Sequence, residues 1–234
     1  MRLVTWNCRV GSFRTKAKHI APLRPDVLAV QEVEPIDNEL FFDGDSQPTY
    51  RDRTADPAYP KRGIGVFSYT GVGMTPVDAT DPAYCFRRYE ARQGDLVFHL
   101  VAVWTAKTDD PTTSYKQTHE GLRRHADWFR LRPTVMMGDF NDNRSYGAGK
   151  SWQQLLDLIQ PLDLQSAYHH HFSEPFGAET RPTYFHQGKE TKFHLDYCFV
   201  PKAWLDRIKR VEVGTYDEWH QASDHAPLIV DLDL

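Results

Sequence analysis

The stretch LRPTVMMGDFN, from Leu131 to Asn141, decides how the rest of the chain is read. Val135 to Met137 is a short apolar strand that leads directly into Asp139. Before it, Tyr115 to Arg130 has helical spacing, with Leu122, Ala126 and Phe129 on one face, and Leu96 to Trp104 is a further apolar strand. The unit is therefore strand, helix, strand, ending in a carboxylate. The start of the sequence repeats it: Leu3 to Trp6 is a strand, Phe13 to Leu23 is helical and stops before Pro25, and Val27 to Val30 is a strand leading into Gln31 and Glu32. LRPDV at Leu23 to Val27 echoes LRPTV at Leu131 to Val135, which suggests an internal pseudo-repeat. Laying one phrase on the other sets Asp139 against Gln31, one place before Glu32, so the repeat is imperfect.

Further out, Ser151 to Ile159 reads as a helix with a Ser151/Gln154 capping box and an apolar stripe of Trp152, Leu155, Leu156 and Ile159. Arg62 and Gly63 precede a strand at Ile64 to Tyr69. In Phe193 to Val200 the alternation sends Phe193, Leu195, Tyr197 and Phe199 one way and His194, Asp196, Cys198 and Val200 the other. The last strand, Pro227 to Leu234, follows directly on Ser223, Asp224 and His225. Polar residues thus gather at strand ends.

Composition narrows the function classes. The 234 residues are 40% hydrophobic and 26% charged, an ordinary globular balance, and breakers fall too evenly to leave an interdomain linker, so 1–234 reads as one domain. No apolar run reaches the roughly 18 residues of a bilayer span, and MRLVTWNC does not look like a signal peptide, so neither membrane insertion nor secretion is expected. The 28 Lys and Arg against 32 acidic residues give a net charge of -4, which lacks the cationic footprint of a tight duplex binder. Cys8, Cys85 and Cys198 are odd in number and lack CxxC spacing, which argues against disulfides and structural zinc and fits a reducing, cytoplasmic setting. Nothing in the sequence points to a protein partner.

Asn7, Glu32, Asp139, Asn141, Asp196, Asp224 and His225 all sit at or along strands expected to be buried. Buried carboxylates stay ionised only when paired, hydrogen-bonded or bound to a cation, so several together imply a metal. Oxygen donors without thiolate favour a hard ion, magnesium first, with manganese also fitting. No GxSxG elbow is present to supply an activated nucleophile.

In these residues the chain resembles the endonuclease/exonuclease/phosphatase superfamily of metal-dependent phosphoesterases. The resemblance lies in WNCR (Trp6 to Arg9), QE (Gln31, Glu32), GDFN (Gly138 to Asn141), LDY (Leu195 to Tyr197) and SDH (Ser223 to His225), in order over nearly the whole chain. It implies an α+β fold, a four-layer α/β/β/α sandwich of two mixed β-sheets with helices on both outer faces. It implies Glu32 as the principal magnesium ligand, with Asn7 and Asp224 completing the metal's surroundings. Asp139 would align or deprotonate the attacking water, Asn141 would donate to the phosphate, His225 would contact a phosphate oxygen or share the proton transfer, and Asp196 would fix the tautomer of His225. Whether Asp139 or His225 is the base stays open. The implied function is magnesium-dependent hydrolysis of phosphodiesters, with nucleic acid, DNA or RNA, as the leading substrate. A phosphatase or phosphodiesterase of a small phosphoester is the alternative, and a catalytically silent binding module on the same fold is the third reading.

One position departs from the family pattern. Where family nucleases commonly place a phosphate-contacting His or Tyr, this chain has Trp104, whose indole offers one N–H donor and no acid or oxyanion. A tryptophan ending an apolar strand is more often core than ligand. Lys107, three residues on, is a further candidate for phosphate contact, as are Arg62 and His194, the last sharing a face with Asp196. The plain readings of Lys107 and Arg62 are solvated surface and a hairpin edge. The run His169 to His171 is expected in a surface loop, and Arg87, Arg88 and Arg92 on a solvated face.

Overall fold

The computed structural model describes residues 1–35, 47–55, 61–69, 71–77, 86–105, 114–145, 149–186, 188 and 190–234. The period-2 segments build two mixed sheets of six strands. One contains β1 (Arg2–Asn7), β2 (Val27–Val33), β3 (Tyr50–Ala55), β4 (Gly63–Ser68), β13 (Ile208–Val213) and β14 (Leu228–Leu232), in the order β13-β14-β1-β2-β4-β3. The other contains β5 (Val72–Pro76), β6 (Phe86–Gln93), β7 (Leu96–Trp104), β8 (Thr134–Asp139), β9 (Leu164–Ser166) and β12 (Asp196–Pro201), in the order β5-β6-β7-β8-β12-β9. A hairpin of β10 (Tyr184–His186) and β11 (Thr191–Phe193) stands apart from both. The α-helices among the described residues are α1 (Phe13–Ile20), α2 (Ser114–Arg124), α3 (Ala126–Phe129), α4 (Lys150–Ile159), α5 (Ala167–Phe172) and α6 (Tyr216–Trp219).

Alternation along the strands sorts side chains into three buried clusters, and these are the three interfaces of a four-layer sandwich. The middle cluster takes Leu3, Val27, Ala29, Leu100, Ala102, Val135, Met137, Cys198, Val200 and Val230 from both sheets. Val4, Trp6, Leu28 and Val30 face the other way and pack under Phe13, Ala17 and Ile20 of α1 and Trp219 of α6. Val101, Val103, Met136, Tyr197 and Phe199 likewise pack under Leu122, Phe129, Trp152 and Leu155 of α2, α3 and α4. The two LRP phrases occupy equivalent places: β1 pairs in parallel with β2 across α1, and β7 pairs in parallel with β8 across α2 and α3.

Local expectations fare unevenly. The helix expected over Tyr115 to Arg130 is interrupted at His125, which leaves the helical region at φ -109°, ψ 13°. The cap of α4 is Gly149; Ser151 falls within the first turn and its hydroxyl donates to the Asp142 carboxylate. The strand expected over Phe193 to Val200 breaks between β11 and β12, where the His194 carbonyl accepts from Asn143 Nδ2 (3.0 Å) and Tyr197 Oη (2.8 Å). The three histidines lie on α5, and His169 is buried against Phe176 with Nδ1 2.8 Å from Ser166 Oγ and Nε2 3.1 Å from Glu179 Oε1. Arg87 and Arg88 are also buried, the first paired with Asp52 at 3.0 Å and the second lying over the Trp128 ring.

Candidate active site

At one edge of the sandwich the middle layer turns from apolar to polar. Continuing the inward-facing alternation along β1, β2, β7 and β8 gives Asn7, Gln31, Trp104 and Asp139, and adjacent strands set Asn7 against Gln31 and Trp104 against Asp139. On the other side of β8, Asp196 of β12 pairs with Asp139. Gly138 lets β8 lie close against β7: it has φ +151°, and a Cβ there would fall 1.9 Å from the Val103 carbonyl oxygen.

Glu32 joins the cluster through a defect in its strand. Regular alternation would send it outward with Leu28 and Val30, but β2 slips register against β4 between Gln31 and Val33, and Glu32 takes φ +60°. The carboxylate then meets Asn7, whose Nδ2 donates to Glu32 Oε1 at 3.2 Å and to Asp139 Oδ2 at 2.9 Å. Glu32 Oε2 accepts from the Val10 N–H at 2.7 Å and from Arg62 Nη1 at 3.3 Å. Asn7 thus bridges the two carboxylates, and Arg62 brings a positive charge to Glu32.

Asp139 is fully buried. Burial pushes its carboxyl up to about 7, with Asp196 adding to the rise, while His225 and the hydrogen bonds from Asn7 and Asn141 pull it down. His225 is the opposite case. Burial alone would lower its pKa, but Asp196 and Asp139 outweigh that and raise it to about 10, so the ring is a cation at neutral pH. Its Nδ1 donates to Asp196 Oδ2 at 2.8 Å, which leaves Nε2 as the second donor. Asp196 is held by its own N–H on Thr183 Oγ1 at 3.0 Å, and Trp6 Nε1 fixes the His225 carbonyl at 2.9 Å.

Asn141, at φ +49°, directs its backbone N–H to Asp139 Oδ1 (2.8 Å) and its Nδ2 to Thr105 O (2.8 Å) and Asp139 Oδ2 (3.0 Å). One side-chain amide proton thus braces Asp139 and the other holds the Thr105 carbonyl. Asp224 stands at the rim, with Arg9 Nε 3.4 Å from its Oδ2. Ser223 Oγ ties the same loop to β1 through the Asn7 carbonyl at 2.7 Å.

The structure therefore brings Asn7, Glu32, Asp139, Asn141, Asp196, Asp224, His225 and Arg62 to one place. His194 does not present itself to a substrate: it is 2% exposed, its ring packs on Tyr168 and Tyr197, and Nδ1 donates to the Arg181 carbonyl at 2.8 Å. The interruption of the strand before β12 cancels the alternation that placed it beside Asp196. Trp104 is 5% exposed and packs in the middle layer, with an indole N–H that has no partner among the described residues. Lys107 lies outside the described residues. Sequence reasoning passed over Arg9, Thr183 and Tyr184, whose ring centroid is 4.7 Å from that of His225. Arg9 had a signal, being part of WNCR; Thr183 and Tyr184 reach the site only through the hairpin.

Two sets of side chains among the described residues bear on cation binding. Asp139, Asp196 and His225 offer atoms within 4.8 Å of one another, but the imidazolium already supplies positive charge there and all three are buried. Glu32 and Asp224, with side chains 18% and 27% accessible, keep the solvent contact that a partly hydrated magnesium needs, and Asn7 adds an amide whose oxygen accepts from the Arg9 N–H at 2.9 Å while its nitrogen faces Glu32. The residues present fit a hard divalent ion at that rim.

No curated protein sequence matches the chain. Solved structures with the same fold include the AP endonuclease LMAP from Leishmania major, at TM-score 0.78 and 14% identity over 100% of this chain and 87% of that one. The endonuclease domain of TRAS1, a telomere-specific non-LTR retrotransposon, gives 0.73 and 17% over 100% and 98%. A Neisseria 3'-5' exonuclease from N. meningitidis gives 0.67 and 17% over the full length of both chains. The pattern of residues along the sequence is more specific than the fold, and it matches the family model from residue 4 to residue 225. The chain belongs to the Endonuclease/Exonuclease/phosphatase family, whose members are hydrolases acting on phosphoesters.

Proposed function

We propose that this protein is a divalent-cation-dependent phosphoesterase that cleaves phosphodiester bonds of nucleic acid by in-line attack of water. The observation that carries the reading is the Asn7 amide joined at once to Glu32 and Asp139, beside a His225 held cationic by Asp196. Glu32, Asn7 and Asp224 would hold the ion, magnesium by preference and manganese as a substitute. Bound there, it would neutralise phosphate charge and favour attack on phosphorus. Asp139, braced by Asn7 and Asn141, orients the water and takes its proton, a task suited to a carboxyl raised toward neutrality. His225, already charged, donates through Nε2 to a phosphate oxygen and stabilises the charge that builds there. The Asp196 carboxylate keeps that ring protonated and oriented. Asp139 is thus the base and His225 the donor.

The nucleic-acid reading draws support from the similar structures, named as an exonuclease and an AP endonuclease, and from a Neisseria 3' phosphatase bound to a product DNA hairpin; the buried free thiols Cys8 and Cys198 support a reducing, cytoplasmic setting. The net charge of -4 favours, as a second reading, a small soluble phosphoester. The test is cleavage by the wild type and Asp139→Asn with magnesium or manganese, on single-stranded DNA, duplex DNA, RNA and small phosphoesters. Loss of at least about a hundredfold in the variant is expected. Polymer cleavage supports the first reading and small-ester cleavage alone the second, while silence on every substrate contradicts both.

A further inference from the structure

Glu32 is engaged on both oxygens. Asn7 holds Oε1, while Val10 and Arg62 share Oε2. The three donors differ in kind. The Val10 N–H is backbone within a turn whose residues Arg9, Val10, Gly11 and Ser12 all have positive φ, and the Asn7 amide is shared with Asp139. Arg62 makes the longest of the three contacts, 3.3 Å, from a flexible side chain that is 39% accessible. It also sits next to the defect that creates the site, because Gly63, the first residue of β4, pairs with Val33 just past the bulge. A cation arriving at Glu32 meets one mobile positive charge already there.

We propose that Arg62 is an exchangeable counter-ion: it neutralises Glu32 when no metal is bound, leaves when a divalent cation takes that carboxylate, and then binds the phosphate the cation recruits. This rests on the assignment of Glu32 as a metal ligand. The charges explain why exchange is useful. Glu32, Asp139, Asp196 and Asp224 put four carboxylates in and around the site, against Arg9, Arg62 and the His225 cation. With all four ionised, a phosphate faces a net negative site when no divalent ion is bound. With one, the balance reverses and the displaced guanidinium can pair with phosphate oxygens through two N–H groups.

An arginine that only anchors a loop would leave phosphate binding alone, whereas exchange makes two affinities move in opposite directions when Arg62 is removed. Manganese binding is measured by electron paramagnetic resonance of the free ion, and inorganic phosphate binding by calorimetry at saturating manganese, on wild type, Arg62→Gln, Arg62→Lys and Glu32→Gln. Arg62→Gln is expected to bind manganese on the order of tenfold tighter and phosphate on the order of tenfold weaker. Arg62→Lys keeps the competing charge and stays closer to wild type in manganese affinity. Unchanged affinity in either measurement, or movement of both in one direction, overturns the proposal while wild-type manganese binding that is lost in Glu32→Gln keeps the metal assignment. Wild type that binds no manganese, or Glu32→Gln that binds it as well as wild type, overturns both.

Discussion

The two strand-helix-strand units share a phrase, a parallel pairing and a place in their sheets, yet they end differently. β7 and β8 run in register to their last pair, so Asp139 stays on the inward face and is fully buried beside Trp104. β1 and β2 run in register to Asn7 and Gln31, after which one extra residue turns Glu32 out of line and toward solvent access. Gln31, the true counterpart of Asp139, is a buried amide whose Nε2 donates to Thr5 Oγ1 at 3.1 Å. One unit therefore supplies a dry carboxylate whose pKa is raised, and the other a wet carboxylate suited to a hydrated ion. Two units with the same strand pairing reach these different chemistries through a single bulge residue.

The largest effects should come from breaking the dry unit. His225→Ala should lower turnover by about 10²–10⁴-fold while circular dichroism reports an unchanged fold. The wild-type rate should rise with pH through about 7, as Asp139 loses its proton, and fall above about 10, as His225 loses its own. Asp196→Asn removes a main source of the raised His225 pKa, so the alkaline limb should move to lower pH. An unmoved limb would mean that Asp196 does not keep the His225 ring protonated.

Breaking the wet unit should act on the metal instead. Glu32→Gln should raise the magnesium concentration needed for half-maximal activity by at least about 10–100-fold. A variant with lower turnover but an unchanged magnesium requirement would erase the distinction between the units. The smallest effect is expected at Trp104. If it serves the core alone, Trp104→Phe keeps most of the packing and removes a buried N–H without a partner among the described residues, so thermal unfolding should show unchanged stability or a gain of about 1 kcal/mol. A loss of turnover at unchanged stability would instead place the indole N–H on the substrate.

Much of this was legible in the sequence because buried polar residues at the ends of apolar strands are costly and therefore informative. WNCR, QE, GDFN, LDY and SDH mark the places where five segments converge. The bulge was visible only as a repeat out of step by one residue, since neither backbone slippage nor a positive φ at a glutamate leaves a pattern in residue types. His194 was misplaced for a related reason: period-2 reasoning assumes an unbroken strand, and the clamp of Asn143 and Tyr197 on its carbonyl is a tertiary contact. Arg62 could be suspected of meeting a charge, but its partnership with Glu32 depends on β4 lying beside β2.

The division of labour between the two units requires the bulged carboxylate, and not the buried cluster, to carry the metal. Anomalous scattering at the manganese edge, from crystals of this protein soaked in manganese, locates the ion. A peak against Glu32 and Asn7 and near Asp224, with the His225 to Asp196 pair intact, is the expected result. A peak centred among Asp139, Asp196 and His225, with nothing at Glu32, would refute that division.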